Sequence, residues 1–233
     1  DLGRIIAIGN RKGGCGKTTT SVNLSSALAH KGSDVLLVDA DPQSHAALSL
    51  GISSVASQHT LFDLLVNGTK IDDAIRTTYL QSLHVLPGGS RLATVERDFA
   101  RDMNMRNRMS ERLSEVKEHF DYVFIDTPPT LGTLTISSLI ASSDVIVPLQ
   151  PHFLAMEGLA ETIRVLNGIN KFYDAEIRLL GVVPTFFQAN ARLSRDVVDQ
   201  IRERLGHTAI LYPIRSNIAL AEAPSFGRTI FQH

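Results

Sequence analysis

Cysteine is nearly absent from these 233 residues. Cys15 is the only one, so no disulfide can form within the chain. A reducing cytoplasm fits that count. An excess of either charge is also lacking: 23 Lys and Arg against 24 Asp and Glu leave a formal net charge of −1. Any nucleic-acid contact must therefore come from a local patch. No apolar run approaches the roughly 18–20 residues of a membrane span. The start has no basic-then-apolar signal region; it enters a strand almost at once, as expected of a trimmed chain or a form without an N-terminal extension. No repeat, low-complexity tract or linker interrupts the chain, so residues 1–233 read as one domain. Hydrophobic content of 43 % and charged content of 20 % allow a large core and give no sign of disorder.

What is present is an alternation of short Ile- and Val-rich runs with helical patterns. Strands are expected at Arg4–Ile8, Val35–Val38, Leu83–Leu86, Tyr122–Ile125, Val145–Pro148 and Leu179–Val183, with Leu211–Tyr212 ending a seventh. Helices are expected at Thr18–His30, with Val22, Leu24, Leu28 and Ala29 as its apolar face, at Leu61–Val66 capped by Thr60, and at Arg106–His119, Glu157–Phe172 and Ala191–Leu205. Near-continuous apolar strands separated by helices imply an α/β fold, a mostly parallel twisted sheet with helices on both faces. Ligands of such sheets bind at the carboxyl ends of the strands. Three of those ends carry chemistry: Gly9 onward, Asp39–Asp41 and Asp126–Pro129.

The stretch Gly9-Asn-Arg-Lys-Gly-Gly-Cys-Gly-Lys17-Thr18 follows a strand and opens a helix. A Walker A loop reads G-x-x-x-x-G-K-[ST]. Its first glycine would fall at position 11, which is Arg11, so Gly9 is displaced by two. The physics survives. Gly13, Gly14 and Gly16 let backbone N–H groups curl around phosphate oxygens, and the helix N-terminus adds positive potential. Lys17 can reach the β- and γ-phosphates and the Thr18 hydroxyl can ligate Mg²⁺. Cys15 reads as a small residue filling a tight loop, the alternative being a reactive thiol beside a helix N-terminus, where thiolate is favoured. Lys12, five residues before Lys17, is unexplained by this pattern.

Two further strand ends carry acids. In Val35-Leu-Leu-Val-Asp39-Ala-Asp41-Pro42-Gln43 a period of two puts Asp39 and Asp41 on one side. In Tyr122-Val-Phe-Ile-Asp126-Thr-Pro-Pro129 the acid ends a strand of large apolar residues, a Walker B pattern.

Lys-Gly-Gly-x-Gly-Lys-Thr-Thr resembles the deviant Walker A motif of the ParA/MinD superfamily of ATPases. The segments D-A-D-P-Q, D-T-P-P and Glu222-Ala-Pro-Ser225 point to its small Soj-like ParA branch. The resemblance covers essentially the whole chain, and it implies a P-loop ATPase using ATP and Mg²⁺. It implies a homodimer with ATP in which Lys12 reaches the phosphates held by the other subunit. It implies that Lys12, Gly13, Gly14, Cys15, Gly16, Lys17, Thr18 and Thr19 hold phosphate, and that Thr18, Asp39 and Asp126 serve the metal. Asp41 would position or activate the attacking water, and Lys12, Lys17 and Asp41 would be the catalytic set. Adenine would lie near Pro184–Phe186 and Pro213, Ile214 and Arg215, although the family's I-P-R-N-V run is here Ile214-Arg-Ser-Asn-Ile218.

GTP is disfavoured, because Asn170-Lys-Phe-Tyr-Asp174 has one residue too many for N-K-x-D and does not follow a strand. ParA relatives bind DNA without sequence preference; Arg192, Arg195, Arg202 and Arg215 are the candidates here. The family's own DNA-contacting arginines fall at Asn190 and Ala219 in this chain. The resemblance further implies a ParB-like or other activating adaptor, a cargo to be positioned or segregated, and a cytoplasmic, nucleoid-associated location in a bacterium or archaeon. A family C-terminal helix is expected beyond His233. The alternatives are a MinD-like membrane-associated positioning ATPase, made unlikely by the lack of a C-terminal amphipathic helix, and an ATP-dependent biosynthetic enzyme of the same fold. One cysteine is too few for the iron–sulfur cluster of the nitrogenase iron protein.

Overall fold

The computed structural model describes residues 3–233. Strands β1 (Arg4–Ile8), β2 (Val35–Asp39), β3 (Arg76–Thr77), β4 (Leu83–Leu86), β5 (Tyr122–Asp126), β6 (Asp144–Leu149) and β7 (Arg178–Pro184) form one sheet. Its order is β3-β4-β2-β5-β1-β6-β7, parallel throughout except for the edge pair β3 and β4. The helices are α1 (Lys17–His30), α2 (His45–Ser49), α3 (Leu61–Val66), α4 (Ile71–Ala74), α5 (Leu92–Asp98), α6 (Met103–Ser114), α7 (Thr133–Ile140), α8 (Ala155–Tyr173), α9 (Arg192–Leu205) and α10 (Ile218–Glu222).

Strand alternation assigns each apolar side chain to a face. Leu36 and Val38 of β2 join Leu61, Leu92, Met109 and Leu134 from the helices on one side. Val35 and Leu37 join Val22, Ala46 and Phe124 on the other. A third cluster, with Val145, Val147, Leu159 and Ile201, closes the β6–β7 end under α8 and α9. Leu37, Phe124 and Ile8 are fully buried, each stabilising the fold by about 1.5–3 kcal/mol.

Three differences from the sequence pattern have simple causes. The seventh strand is Arg76–Thr77, not a strand ending at Leu211–Tyr212. Leu211 N does donate to Val182 O at 2.9 Å, but only isolated bridges form there, and Pro213 has no N–H with which to extend a ladder. The helix expected over 106–119 starts earlier, because the Asp102 side chain accepts from Asn104 N and Met105 N, and it breaks before a separate turn at Lys117–His119. The buried side of α1 is rich in hydroxyls: Ser21, Ser25 and Ser26 are buried, while Leu24 and Leu28 are only partly so. Small side chains let α1 lie close to the sheet, which brings its first turns against the strand ends.

Among the described residues no helix is long and apolar enough to cross a membrane.

Candidate nucleotide site

The sheet order sets β2, β5 and β1 side by side, so their carboxyl ends open onto one place. The loop leaving β1 turns into α1 through two glycines in left-handed conformations, Gly14 (φ 71°) and Gly16 (φ 85°), which residues with a Cβ rarely adopt. A methyl group added at Gly13 or Gly14 would meet nothing within 4 Å. The first turn of α1 carries no acidic residue. An open hollow thus faces a helix N-terminus whose positive potential is not neutralised.

The loop is pinned from several sides. Gly9 N donates to Ile146 O at 3.0 Å and Asn10 Nδ2 to Pro148 O at 2.7 Å. Thr185 Oγ1 donates to Cys15 O at 2.7 Å. The Cys15 thiol is buried, donates to Lys12 O at 3.1 Å, and is pushed up in pKa by burial. It is a filler and not a thiolate.

The two lysines point to different places. Lys17 is buried, and its Nζ donates to Lys12 O at 3.1 Å, inside the curl of the loop. Lys12 is exposed, and its Nζ contacts Nε2 of His152 on the β6–α8 loop. His152 Nδ1 accepts from Leu154 N at 3.1 Å. Burial and the neighbouring Lys12 charge hold the imidazole below its ordinary pKa. Beside them Arg11 forms an ion pair with Glu161 of α8.

The acids divide by partner. Asp126 is fully buried; its Oδ2 accepts from Thr18 Oγ1 at 2.7 Å and its Oδ1 from Ser21 Oγ at 2.8 Å. Asp39 lies directly across from it on the neighbouring strand. Asp39 accepts from Ala47 N at 2.9 Å and Asp41 N at 3.3 Å, so both of its oxygens hold the backbone that follows β2. Burial, and then the Asp126 charge, push Asp39 up to about 8. Burial pushes Asp126 up to about 6, against the Thr18 and Ser21 hydrogen bonds. Two facing buried carboxylates thus favour holding a proton between them, Asp39 being raised further than Asp126. Asp41 is half-buried, and its side chain accepts from Gln43 N at 2.9 Å.

A cavity of about 120 Å³ adjoins the loop, lined by Gly16, Thr19, Thr20, Phe186, Ile214 and Arg215 among others. Pro213 is outside that lining. The segment Pro184–Phe186 is expected here, but nothing in it predicts the conformation of Phe186. The backbone of Phe186 is left-handed (φ 50°) and its ring edge lies beside Gly16. A bulky residue in that conformation costs of order 1 kcal/mol or more. Among the described residues the buried Thr20 Oγ1 has no hydrogen-bond partner.

The family model for the AAA domain matches residues 3–179. The sporulation initiation inhibitor protein Soj of Bacillus subtilis is 38 % identical over 229 residues, covering 98 % of this chain and 90 % of Soj. The chain belongs to the ParA/Soj family of ATPases. The chromosome partitioning protein ParA of Caulobacter vibrioides is 36 % identical, covering 97 % of this chain and 86 % of that one. Among solved structures, cobyrinic acid a,c-diamide synthase from Mycobacterium smegmatis, with bound ATP analog and magnesium, matches with a TM-score of 0.85 at 31 % identity, over 97 % of this chain and 93 % of that one. As a ParA/Soj ATPase the chain hydrolyses ATP with Mg²⁺.

The residues of this ParA/Soj ATPase fit that substrate and ion. A Cβ at Gly13 or Gly14 would meet nothing within 4 Å, which leaves room for phosphate beside the Lys17 ammonium, and among the described residues the buried Thr20 Oγ1 at the edge of the adjoining cavity has no hydrogen-bond partner. The donors near the hollow are hydroxyl and carboxylate oxygens, the set a hard cation takes. Among the described residues no group of three or more His, Cys, Asp or Glu could hold a metal alone. A Mg²⁺ held there would complete its shell with waters and substrate phosphate oxygens. On α9, Arg192 and Arg195 are exposed and Arg202 is half-buried, and all three are partly spoken for: Arg192 pairs with Asp196 at 3.5 Å, Arg202 with Asp199 at 3.0 Å, and Arg195 donates to Ala189 O at 2.7 Å. Arg215 faces the cavity by Gly16 and not α9.

Proposed function

We propose that this chain is the nucleotide-switched engine of a partition or positioning system. Residues 1–233 act as one ATPase domain, monomeric without ATP and paired face to face with it. The backbone of Gly13 to Gly16 and the Lys17 ammonium hold the phosphates, with Cys15 and Thr19 completing the loop. Thr18 and Asp126 hold the Mg²⁺ and its waters; bound there, the ion neutralises charge developing on the phosphoryl oxygens. Asp39 acts one step back by holding the Asp41 backbone, and Asp41 orients the attacking water. Lys12 leaves His152 and reaches the phosphates bound by the second copy, so hydrolysis depends on pairing. The base occupies the cavity at Ile214 and Arg215.

The observation that carries this reading is the divergence of the two lysines. Lys17 turns into the loop and Lys12 turns out of it. A second cation held outside the cradle serves a partner better than its own phosphates. Light scattering tests it: the mass should double with Mg²⁺ and a non-hydrolysable ATP analogue, and an unchanged mass would sink it.

Downstream, the paired form binds DNA without sequence preference, through arginines such as Arg192, Arg195, Arg202 and Arg215. A ParB-like adaptor stimulates hydrolysis and releases the pair, and the setting is the cytoplasm at the nucleoid. The relatives named for chromosome partitioning support this. DNA retention should require ATP and fall steeply with salt. The synthase-named neighbour favours a second reading, a biosynthetic ATPase. That reading predicts turnover set by a small carboxylic acid and indifferent to DNA.

A further inference from the structure

One short segment touches both acid-bearing loops. At its start, Gly88 lies against the backbone after β2. A methyl group there would stand 2.6 Å from Asp39 O and 2.9 Å from Asp41 O, too close for any side chain. At its end, Glu96 of α5 reaches the first turn of α7. Its Oε2 accepts from Thr133 N at 2.7 Å and its Oε1 from Leu134 N at 2.9 Å. Those N–H groups have no partner within their own helix, and the carboxylate also meets the positive end of the helix dipole. Gly132 makes the room, because a Cβ there would collide with the Glu96 carboxylate.

Between these ends the segment is anchored to the core. Leu92 and Val95 are buried in the core, and Arg91 donates to Asp63 Oδ1 at 2.9 Å with its guanidinium 4.0 Å over the Phe62 ring. The loop 127–132 that follows Asp126 is fixed at its other end by Thr127 Oγ1, which donates to Ile8 O at 2.9 Å. The position of that loop thus depends on β1 at one end and on Glu96 at the other.

We propose that Gly88–Glu96 is a strut that sets the spacing of the loops carrying Asp39–Asp41 and Asp126–Gly132, with Glu96 as a positioning residue for ATP hydrolysis. The hydrolytic part rests on the ATPase activity alone and needs neither DNA nor an adaptor. A helix cap alone would hold α7 and leave the Asp41 loop untouched. A strut transmits its loss to both loops, and small misplacements of reacting groups are costly in rate.

The test combines amide hydrogen exchange on the nucleotide-free chain with steady-state ATPase kinetics well below the melting temperature. In Glu96→Ala, exchange should quicken both at 127–135 and at 40–47. In that variant kcat should fall on the order of tenfold, while KM for ATP stays within about twofold. Glu96→Gln keeps one acceptor oxygen and should recover part of kcat. Gly132→Ala pushes the carboxylate away without removing it and should reproduce Glu96→Ala, which guards against a variant that merely fails to fold. Faster exchange confined to 133–135, or kcat unchanged in both variants, would overturn the strut. Exchange needs no turnover, so it decides the coupling even in a preparation that hydrolyses nothing, whereas that inactivity would count against the ATPase reading.

Discussion

The Lys12 ammonium rests on Nε2 of His152, on the loop that joins β6 to α8. The Lys12 side chain thus points out of the hollow of its own loop, toward the β6–α8 loop. Lys12→Ala should therefore still bind ATP within about threefold but lose stimulated hydrolysis by roughly 10³ or more. Nucleotide titration and stimulated turnover measure the two effects. Normal stimulated turnover would remove Lys12 from the chemistry.

Among the described residues the Asp41 side chain accepts only from Gln43 N, at its own turn. Asp41→Ala should leave ATP binding and pairing intact and slow hydrolysis by at least about 10². The paired form should then persist in gel filtration with ATP. A variant that stays monomeric in ATP would show that Asp41 serves pairing and not the water.

Burial raises Asp39 to about 8 and Asp126 to about 6, well above their unfolded value of 3.8. The native state holds protons that the unfolded chain releases, so stability is fullest below that unfolded value. It is lost as pH rises through the two folded values, from about 4 to about 8. The melting temperature without nucleotide should fall across pH 5 to 8, and the gain from Mg²⁺ and ATP should grow over the same range. His152, whose pKa is lowered, acts in the opposite sense. Asp39→Asn keeps His152 and should flatten the decline; an equal slope in that variant would refute the assignment.

Phe186 holds a left-handed backbone and places its ring at the cavity by Gly16. Stacking on a base is worth about 1–3 kcal/mol by alanine substitution. Phe186→Ala should weaken ATP by about tenfold or more, yet leave inorganic triphosphate almost unaffected, as calorimetry would measure. Equal losses for both ligands would mean that the ring shapes the phosphate loop instead.

Much of this site is legible in the sequence. The glycines with Lys17 and Thr18 specify a phosphate loop because their spacing acts locally, through backbone freedom and a helix start. Asp39 and Asp126 are legible because each closes an apolar strand. Helix α5 and Glu96 are not: that helix is short, and its role comes from meeting α7, 37 residues away in sequence. The placement of the Phe186 ring is hidden for the same kind of reason, since nothing in Pro184-Thr185-Phe186 announces a left-handed turn.

By itself the sequence determined the strand–helix alternation, the phosphate loop and the acids at the strand ends. These follow from periodicity and from residue chemistry within a few positions, and neighbours along the chain suffice to express them. Only the tertiary structure decided that Asp39 spends both oxygens on backbone while Asp126 faces Thr18, that Lys12 and Lys17 diverge, and that one segment touches both acid loops. Those relations depend on which strands lie side by side and which helix ends meet, and that is settled by packing the whole core.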